Sequence, residues 1–185
     1  REIYHRYTDR LEPYGMDECW LDISGTQDLF GTPEEVAHRI RRTVRFELGL
    51  TISVGVSFNK IFAKLGSDMK KPDAVTVIPK ASFREKIWSL PAEELLGVGR
   101  STKKKLRHFC IRTIGDLAEA SPDLLRRELG VRGLQLHRFA NGLDQSEVSE
   151  EGYHPEIKSV GHGTTTTADL RTEGEVWPVI LELTQ

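Results

Sequence analysis

The sequence predicts an α+β fold, and three observations point to it. Over residues 1–90, alternating apolar stretches of strand length are interleaved with stretches of helical period, the pattern of helices packed on a sheet. From Pro91 to Asn141 the texture changes to short helical segments punctuated by Gly97-Val98-Gly99, Ser121-Pro122, Gly130 and Gly142, which reads as a small all-α unit. After an acidic stretch without periodicity, a third unit opens near Ile157. The expected divisions are therefore 1–90, 91–142, a linker over 143–156, and 157–185.

Taken in order, Glu12 to Ser24 reads as two short strands about a turn at Met16-Asp17-Glu18. Cys19, Leu21 and Ile23 fall on one face and Trp20 and Asp22 on the other, because side chains alternate along a strand. Thr32-Pro33-Glu34-Glu35 is a helix start, with Thr as N-cap, Pro in the first turn and Glu closing a capping box. Val36, Ile40 and Val44 recur every four residues, and Gly49 closes that helix. The stretch "TISVGVSF", residues 51–58, alternates strictly and predicts a strand. A helix follows from Asn59 to about Lys70, stopped by Pro72. Val75 to Ile78 reads as a strand and Ser82 to Trp88 as a helix. A further helix is expected to end at Gly97-Val98-Gly99, with another beginning near Ser101. In the last unit, "KSVGHGTTTTADL" predicts a strand and "EVWPVILELTQ" the start of a helix.

Composition narrows the classes. Apolar residues make up 38% and charged residues 29%, enough to build cores. No apolar run reaches the length of a membrane span, so no membrane partner is expected. Cys19 and Cys110 are too few and too far apart for a metal knuckle, and no histidine pairs with a second histidine or a cysteine at helical spacing, which argues against zinc. Two reduced thiols suit a cytoplasmic protein. The chain opens on Arg and stops without punctuation, which suggests a piece of a longer protein. A net charge of −2 conceals a strong asymmetry. Residues 59–112 carry 13 Lys/Arg against 5 Asp/Glu, whereas residues 143–185 carry 2 against 9. The basic excess is a footprint for a polyanion.

Three motifs carry chemistry. Adjacent acids at a strand entrance, Asp17 and Glu18, repel each other, and a divalent cation would turn that repulsion into affinity. On the helix after the best strand, Ile61, Phe62, Leu65 and Met69 share an apolar arc, while Lys60, Lys64, Ser67 and Lys71 share a narrow arc away from it. Lys71, at the helix end before a proline, has reach for a terminal phosphate. In "LLGVGRSTKKKL", two glycines around Val98 allow a tight hairpin whose amides meet a phosphate oxygen at a helix N-terminus. Ser101 and the cluster Lys103, Lys104 and Lys105 follow directly. This is the pattern of a helix-hairpin-helix, which grips nucleic-acid backbone without reading sequence.

"MDECWLDIS", "SVGVSFNKIFAKLGSDMKKP", "LLGVGRSTKKKL" and "KSVG" come in the order and approximate spacing of the Y-family DNA polymerases, and the chain resembles the bacterial DinB/UmuC translesion type along essentially its whole length. The resemblance implies a partial palm over 1–90, a helix-hairpin-helix thumb over 91–142 and the opening stub of a little-finger domain from 157. It implies two-metal catalysis with Mg2+: Asp17 as a metal ligand, and Glu18 as the acid that positions the metal activating the primer 3′-hydroxyl. Lys71 resembles the family lysine on the incoming triphosphate. Lys60 and Lys64 would lie near DNA or support the same site, and Gly97, Val98, Gly99, Ser101 and Lys103 to Lys105 would hold the primer-strand backbone. The implied partners are primer–template DNA, a deoxynucleoside triphosphate and, through regions outside this chain, a sliding clamp. Asp22 is expected to be structural.

The chain departs from the family pattern at its start. The segment that supplies another metal-binding aspartate, and the fingers after it, have no counterpart before Glu12, and most of the little finger is lacking. On that ground the chain alone is expected to be inactive. Two rival readings differ in class. A noncatalytic Y-family-like DNA-binding subunit would have lost the acids, which are present. A nucleotide cyclase with a palm-like site would leave the glycine hairpin and its basic cluster unexplained.

Overall fold

The structure, a computed structural model, describes residues 1–150 and 157–184. The chain divides into two compact units, Arg1–Glu151 and Gly152–Gln185. In chain order the elements are α1 (Glu2–His5), β1 (Leu11–Tyr14), β2 (Glu18–Leu21), α2 (Gln27–Phe30), α3 (Pro33–Leu48), β3 (Val54–Ser57), α4 (Lys60–Met69), β4 (Val75–Ile78) and α5 (Phe83–Ile87). A 3-10 turn at Ala92–Glu94 then precedes α6 (Arg100–His108), α7 (Ile114–Glu119), α8 (Pro122–Leu129), α9 (Val131–Ala140) and α10 (Glu173–Leu183).

The two expected strands about the acidic turn are β1 and β2, an antiparallel hairpin pairing Leu11 with Leu21 and Tyr14 with Glu18. Leu21 and Ile23 pack on a small core of Ile3, Tyr7, Val36, Ile40 and Val44, so the face read from alternation is the face that meets α1 and α3. Helix α3 begins and ends as its sequence dictates. The Thr32 hydroxyl accepts from the Glu35 amide at 3.3 Å, the Glu35 carboxylate accepts from the Thr32 amide at 2.8 Å, and Gly49 turns left-handed with φ 67°.

Strands β3 and β4 run parallel, Val54 against Val75 through Ser57 against Ile78, and α4 is the crossover between them. The strand expected over 51–58 is only four residues long, because β4 offers partners only to Val54–Ser57. Helix and strand touch backbone to backbone. A Cβ on Gly55 would stand 1.8 Å from the Ala63 carbonyl oxygen, and one on Gly66 would stand 3.2 Å from the Gly55 α-carbon, so the contact depends on glycine at both places. Asn59 caps α4 by accepting from the Phe62 amide at 2.8 Å.

Ile61, Phe62 and Leu65 of α4 enter a second, larger core with Ile78 and Ile87. The same core continues through Leu95, Leu106, Ile114, Leu117, Leu136 and Phe139. Packing is thus continuous across the division expected at 90/91. Two expectations are corrected. No helix ends at Gly97-Val98-Gly99. Only the three-residue 3-10 turn precedes it, and Leu95 is already extended because its side chain is pulled into the core. The stretch 158–170 forms no strand: it is almost wholly exposed, and a strand without a partner leaves its backbone groups unpaired. Helix α10 begins at Glu173, and Pro178 lies inside it. Of the expected linker, residues 143–150 lack regular structure, and 151–156 fall outside the described residues. Among the described residues no helix is long and apolar enough to cross a membrane.

Candidate active site

The β1–β2 hairpin presents Glu12, Glu18 and Trp20 to α4, since Glu18 and Trp20 are two apart on one strand and Glu12 pairs with Trp20. Trp20 Nε1 donates to the Lys60 carbonyl at 2.9 Å, and Lys60 Nζ stands 4.7 Å above the indole ring. That ammonium lies 2.6 and 2.7 Å from the two Glu12 oxygens, and the Ser149 amide donates to the same carboxylate at 2.9 Å. Burial alone would raise the Glu12 pKa, but these donors outweigh it and hold the carboxyl below its ordinary range.

One turn along α4, Lys64 Nζ reaches Glu18 Oε1 at 2.9 Å and Asp68 Oδ2 at 2.6 Å, with its side chain only 16% exposed. Burial pushes the Lys64 ammonium down, and the two carboxylates overcome it to leave the pKa raised. Asp68 also meets Lys71 Nζ at 2.7 Å, while Lys71 itself is 57% exposed. For Asp68, burial acts upward, but Lys64 and Lys71 prevail and its pKa is lowered. Asp17 stands exposed at the end of the turn.

Asp17, Glu18, Lys64 and Lys71 line a common cavity of about 650 Å³ that runs the length of β2 and β3, and Lys60 does not line it. Among the described residues each of these strands is paired on one side only, so the cavity separates two open strand edges. Two carboxylates at one turn, beside a basic wall, are hard oxygen donors of the kind that hold Mg2+ when substrate phosphates and water supply the remaining ligands. The thiol between them and Trp20 does not compete, because burial pushes the Cys19 pKa up. Among the described residues no group of three or more possible ligands gathers, and the Glu18 carboxylate is engaged by Lys64.

At the second candidate region, Gly97 adopts φ 93°, and a Cβ there would stand 1.9 Å from Arg132 Nη2. The Arg132 guanidinium, on α9, therefore lies against the turn. Val98 is an anchor rather than a contact: it is 8% exposed, and its amide donates to the Leu95 carbonyl at 3.1 Å. Gly99 is the N-cap of α6 and no side chain caps the helix, so its first-turn amides face outward beside exposed Ser101 and Lys104. Lys103 is engaged instead, 2.6 Å from Glu93, with Arg107 at 3.3 Å from the same oxygen, and Lys105 reaches the Glu128 carbonyl at 3.3 Å. Sequence reasoning did not find Glu12, Asp68, Glu93 or Arg132. Only Asp68 carried a local signal, four residues after Lys64 on α4 and three before Lys71, which follows the helix end.

The chain has relatives among known proteins. Residues 1–68 match the model of the impB/mucB/samB family, and residues 93–144 match the model described as DNA polymerase-iota, thumb domain. The chain is 52% identical to DNA polymerase IV of Acetivibrio thermocellus over 185 residues, all of this chain and 46% of that protein. It is 39% identical to DNA polymerase IV of Moorella thermoacetica over 183 residues, again 46% of that protein. The chain thus spans less than half the length of these relatives. Among solved structures, DinB from Sulfolobus solfataricus superposes with a TM-score of 0.72 at 24% identity, over 80% of this chain and 44% of that one. A post-insertion binary complex of Dbh DNA polymerase superposes with a TM-score of 0.72 at 23% identity, over 99% of this chain and 53% of that one.

Proposed function

We propose, for a chain that belongs to the DinB type of the Y-family DNA polymerases, that it carries the catalytic carboxylates and the DNA grip of a template-directed DNA polymerase for translesion synthesis and repair. The observation that carries this reading is the meeting of Asp17, Glu18, Lys64 and Lys71 on one cavity. Deoxynucleotides are added to a primer 3′ end, with pyrophosphate leaving. Asp17 and Glu18 would hold Mg2+, which when bound lowers the hydroxyl pKa and neutralises charge on the phosphates. Lys64 aims the Glu18 carboxylate through its 2.9 Å contact and draws part of its own charge balance from Asp68. Lys71 contacts the incoming triphosphate, leaving Asp68 as it does so. Lys60, spent on Glu12 and Trp20, braces the hairpin that carries the acids and so supports the site from behind.

The amides around Gly97 and Gly99, with Ser101, Lys103, Lys104 and Lys105, grip the primer backbone, and Val98 pins the turn to the core. Both cysteines are free thiols, in keeping with a cytoplasmic protein. A sliding clamp would be engaged through parts outside this chain. The test is primer extension by the whole polymerase bearing Asp17→Ala or Glu18→Ala. Each should lose incorporation by on the order of a hundredfold or more while folding and DNA binding persist. Near-wild-type extension by either variant would refute the reading.

A further inference from the structure

The link between α4 and β4 has a feature that the carboxylate site does not use. Asp73 is a non-glycine residue with φ 56°, in the left-handed region, and its side chain is only 16% exposed. Two arginines one turn apart on α3 converge on it. Arg45 Nη1 donates to Asp73 Oδ2 at 2.8 Å, and Arg41 Nη1 donates to the Asp73 backbone carbonyl at 2.9 Å. The same Arg41 nitrogen lies 2.9 Å from Asp73 Oδ1, which is buried and has no hydrogen bond aimed at it, so that contact is held by charge. Side chain and main chain of one residue are thus gripped together. Immediately after it, the Ala74 carbonyl accepts from the Val54 amide at 2.8 Å and begins the β3–β4 pairing.

We propose that Asp73, clamped by Arg41 and Arg45, is a positioning residue for Lys71. Helix α4 stops at Met69, and Lys70 is already extended, with φ −134° and ψ 103°. Lys71, Pro72 and Asp73 lie outside both α4 and β4. The Lys71 ammonium meets Asp68 at 2.7 Å, a contact it must surrender to a phosphate, so that contact cannot hold the residue while it binds. The clamp sits two residues downstream on the wall of the same cavity and fixes the backbone from which Lys71 projects. A misplacement of about an ångström at a charged contact can cost on the order of a hundredfold, which makes such a tether consequential. The bland alternative is that the two arginines merely fasten α3 to the sheet. In that case loosening them would act on stability and not on Lys71.

The proposal rests on reading Lys71 as the triphosphate contact, and the experiment separates the two. In the whole polymerase, KM for the nucleotide and kcat are measured for the wild type, Lys71→Ala, Asp73→Gly, the double variant and Asp73→Asn. Glycine keeps the left-handed backbone and removes the carboxylate. Asparagine tolerates that backbone and keeps an acceptor for Arg45. Asp73→Gly should raise KM about tenfold with kcat changed less than about twofold, and the double variant should match Lys71→Ala alone, because residues acting through one contact are not additive. Asp73→Asn should recover most of the loss.

A Lys71→Ala variant with unchanged KM would overturn the triphosphate reading itself. A normal Lys71→Ala defect with no Asp73→Gly effect, or with losses that multiply in the double variant, would sink the clamp alone. Should Asp73→Gly fail to fold, Arg45→Ala removes one arm from a side chain 67% exposed and is expected to raise KM about threefold. A second measurement needs no activity. Trypsin cleaves after Lys70 but not between Lys71 and Pro72, so in the present chain Asp73→Gly should speed cleavage after Lys70 severalfold. An unchanged rate would show that the link does not depend on the clamp.

Discussion

Asp68 accepts from Lys64 and forms an ion pair with Lys71, and its carboxyl is the hinge between the acid pair and the lysine that reaches outward. Its folded-state pKa lies below the ordinary carboxylate value, so the stability it contributes is present above that value and is lost as pH falls through the folded one. Asp68→Asn should therefore flatten the acid limb of a thermal-melt profile below about pH 4 and cost about 1 kcal/mol or less near neutrality, the worth of a partly exposed pair. An unaltered acid limb would mean that Asp68 is not ionically engaged. Lys64 works in the opposite sense. Its pKa is raised, so its contribution holds below the ordinary lysine value and fades only as strongly alkaline pH passes the folded one. At this scale the sequence revealed what lies within one helix and little else. The Lys64–Asp68–Lys71 spacing is local, whereas Lys60 and Glu12 are 48 residues apart and meet only because the hairpin lies across α4. Arg132 against Gly97 is likewise a product of packing, with no pattern linking α9 to the turn.

Elements were legible where a cap fixed them or where alternation coincided with a partner strand. Helix α3, with its Thr32 box and Gly49 stop, and β4 at Val75–Ile78 follow the sequence closely. The misreadings arose where a partner decides. The stretch 158–170 alternates too little and has no strand beside it. The residues before Gly97 have helical propensity, yet Leu95 and Val98 are drawn into the core and uncoil them. That geometry sharpens the expectation for DNA binding. Gly97→Ala should weaken binding twice over, since φ 93° disfavours any side chain and the new Cβ would displace the Arg132 guanidinium. Lys103, tied to Glu93, should contribute less than Lys104, whose side chain is exposed. Fluorescence anisotropy with two unrelated duplexes, titrated across salt, checks this. The log–log slope should be near 0.9 per phosphate contacted, Lys104→Ala should flatten it more than Lys103→Ala, and the two duplexes should bind alike. Salt-independent binding, or binding indifferent to Gly97→Ala, would reduce the hairpin to a simple turn.

At the scale of the molecule, the charge split along the chain places its basic excess on α4, the link after it and α6, the parts that meet phosphate in the proposed function. The acid pair has no third carboxylate beside it among the described residues, and the chain covers less than half of its relatives' length. Primer extension with Mg2+ and all four nucleotides should therefore show no incorporation by this chain alone, even at high protein concentration, and robust incorporation would overturn the division of roles.

The cavity between β2 and β3 also governs how the chain behaves when it meets itself. Two strand edges whose ladders are satisfied on one side only, facing an apolar trough with Val36, Ile40 and Ile52 on its walls, form a template for any extended segment that comes near. In concentrated solution association should begin there. A lysine at Val56, whose neighbours Gly55 and Ser57 lie on the open edge, should suppress growth in light scattering on warming while leaving the α6–α9 helices folded.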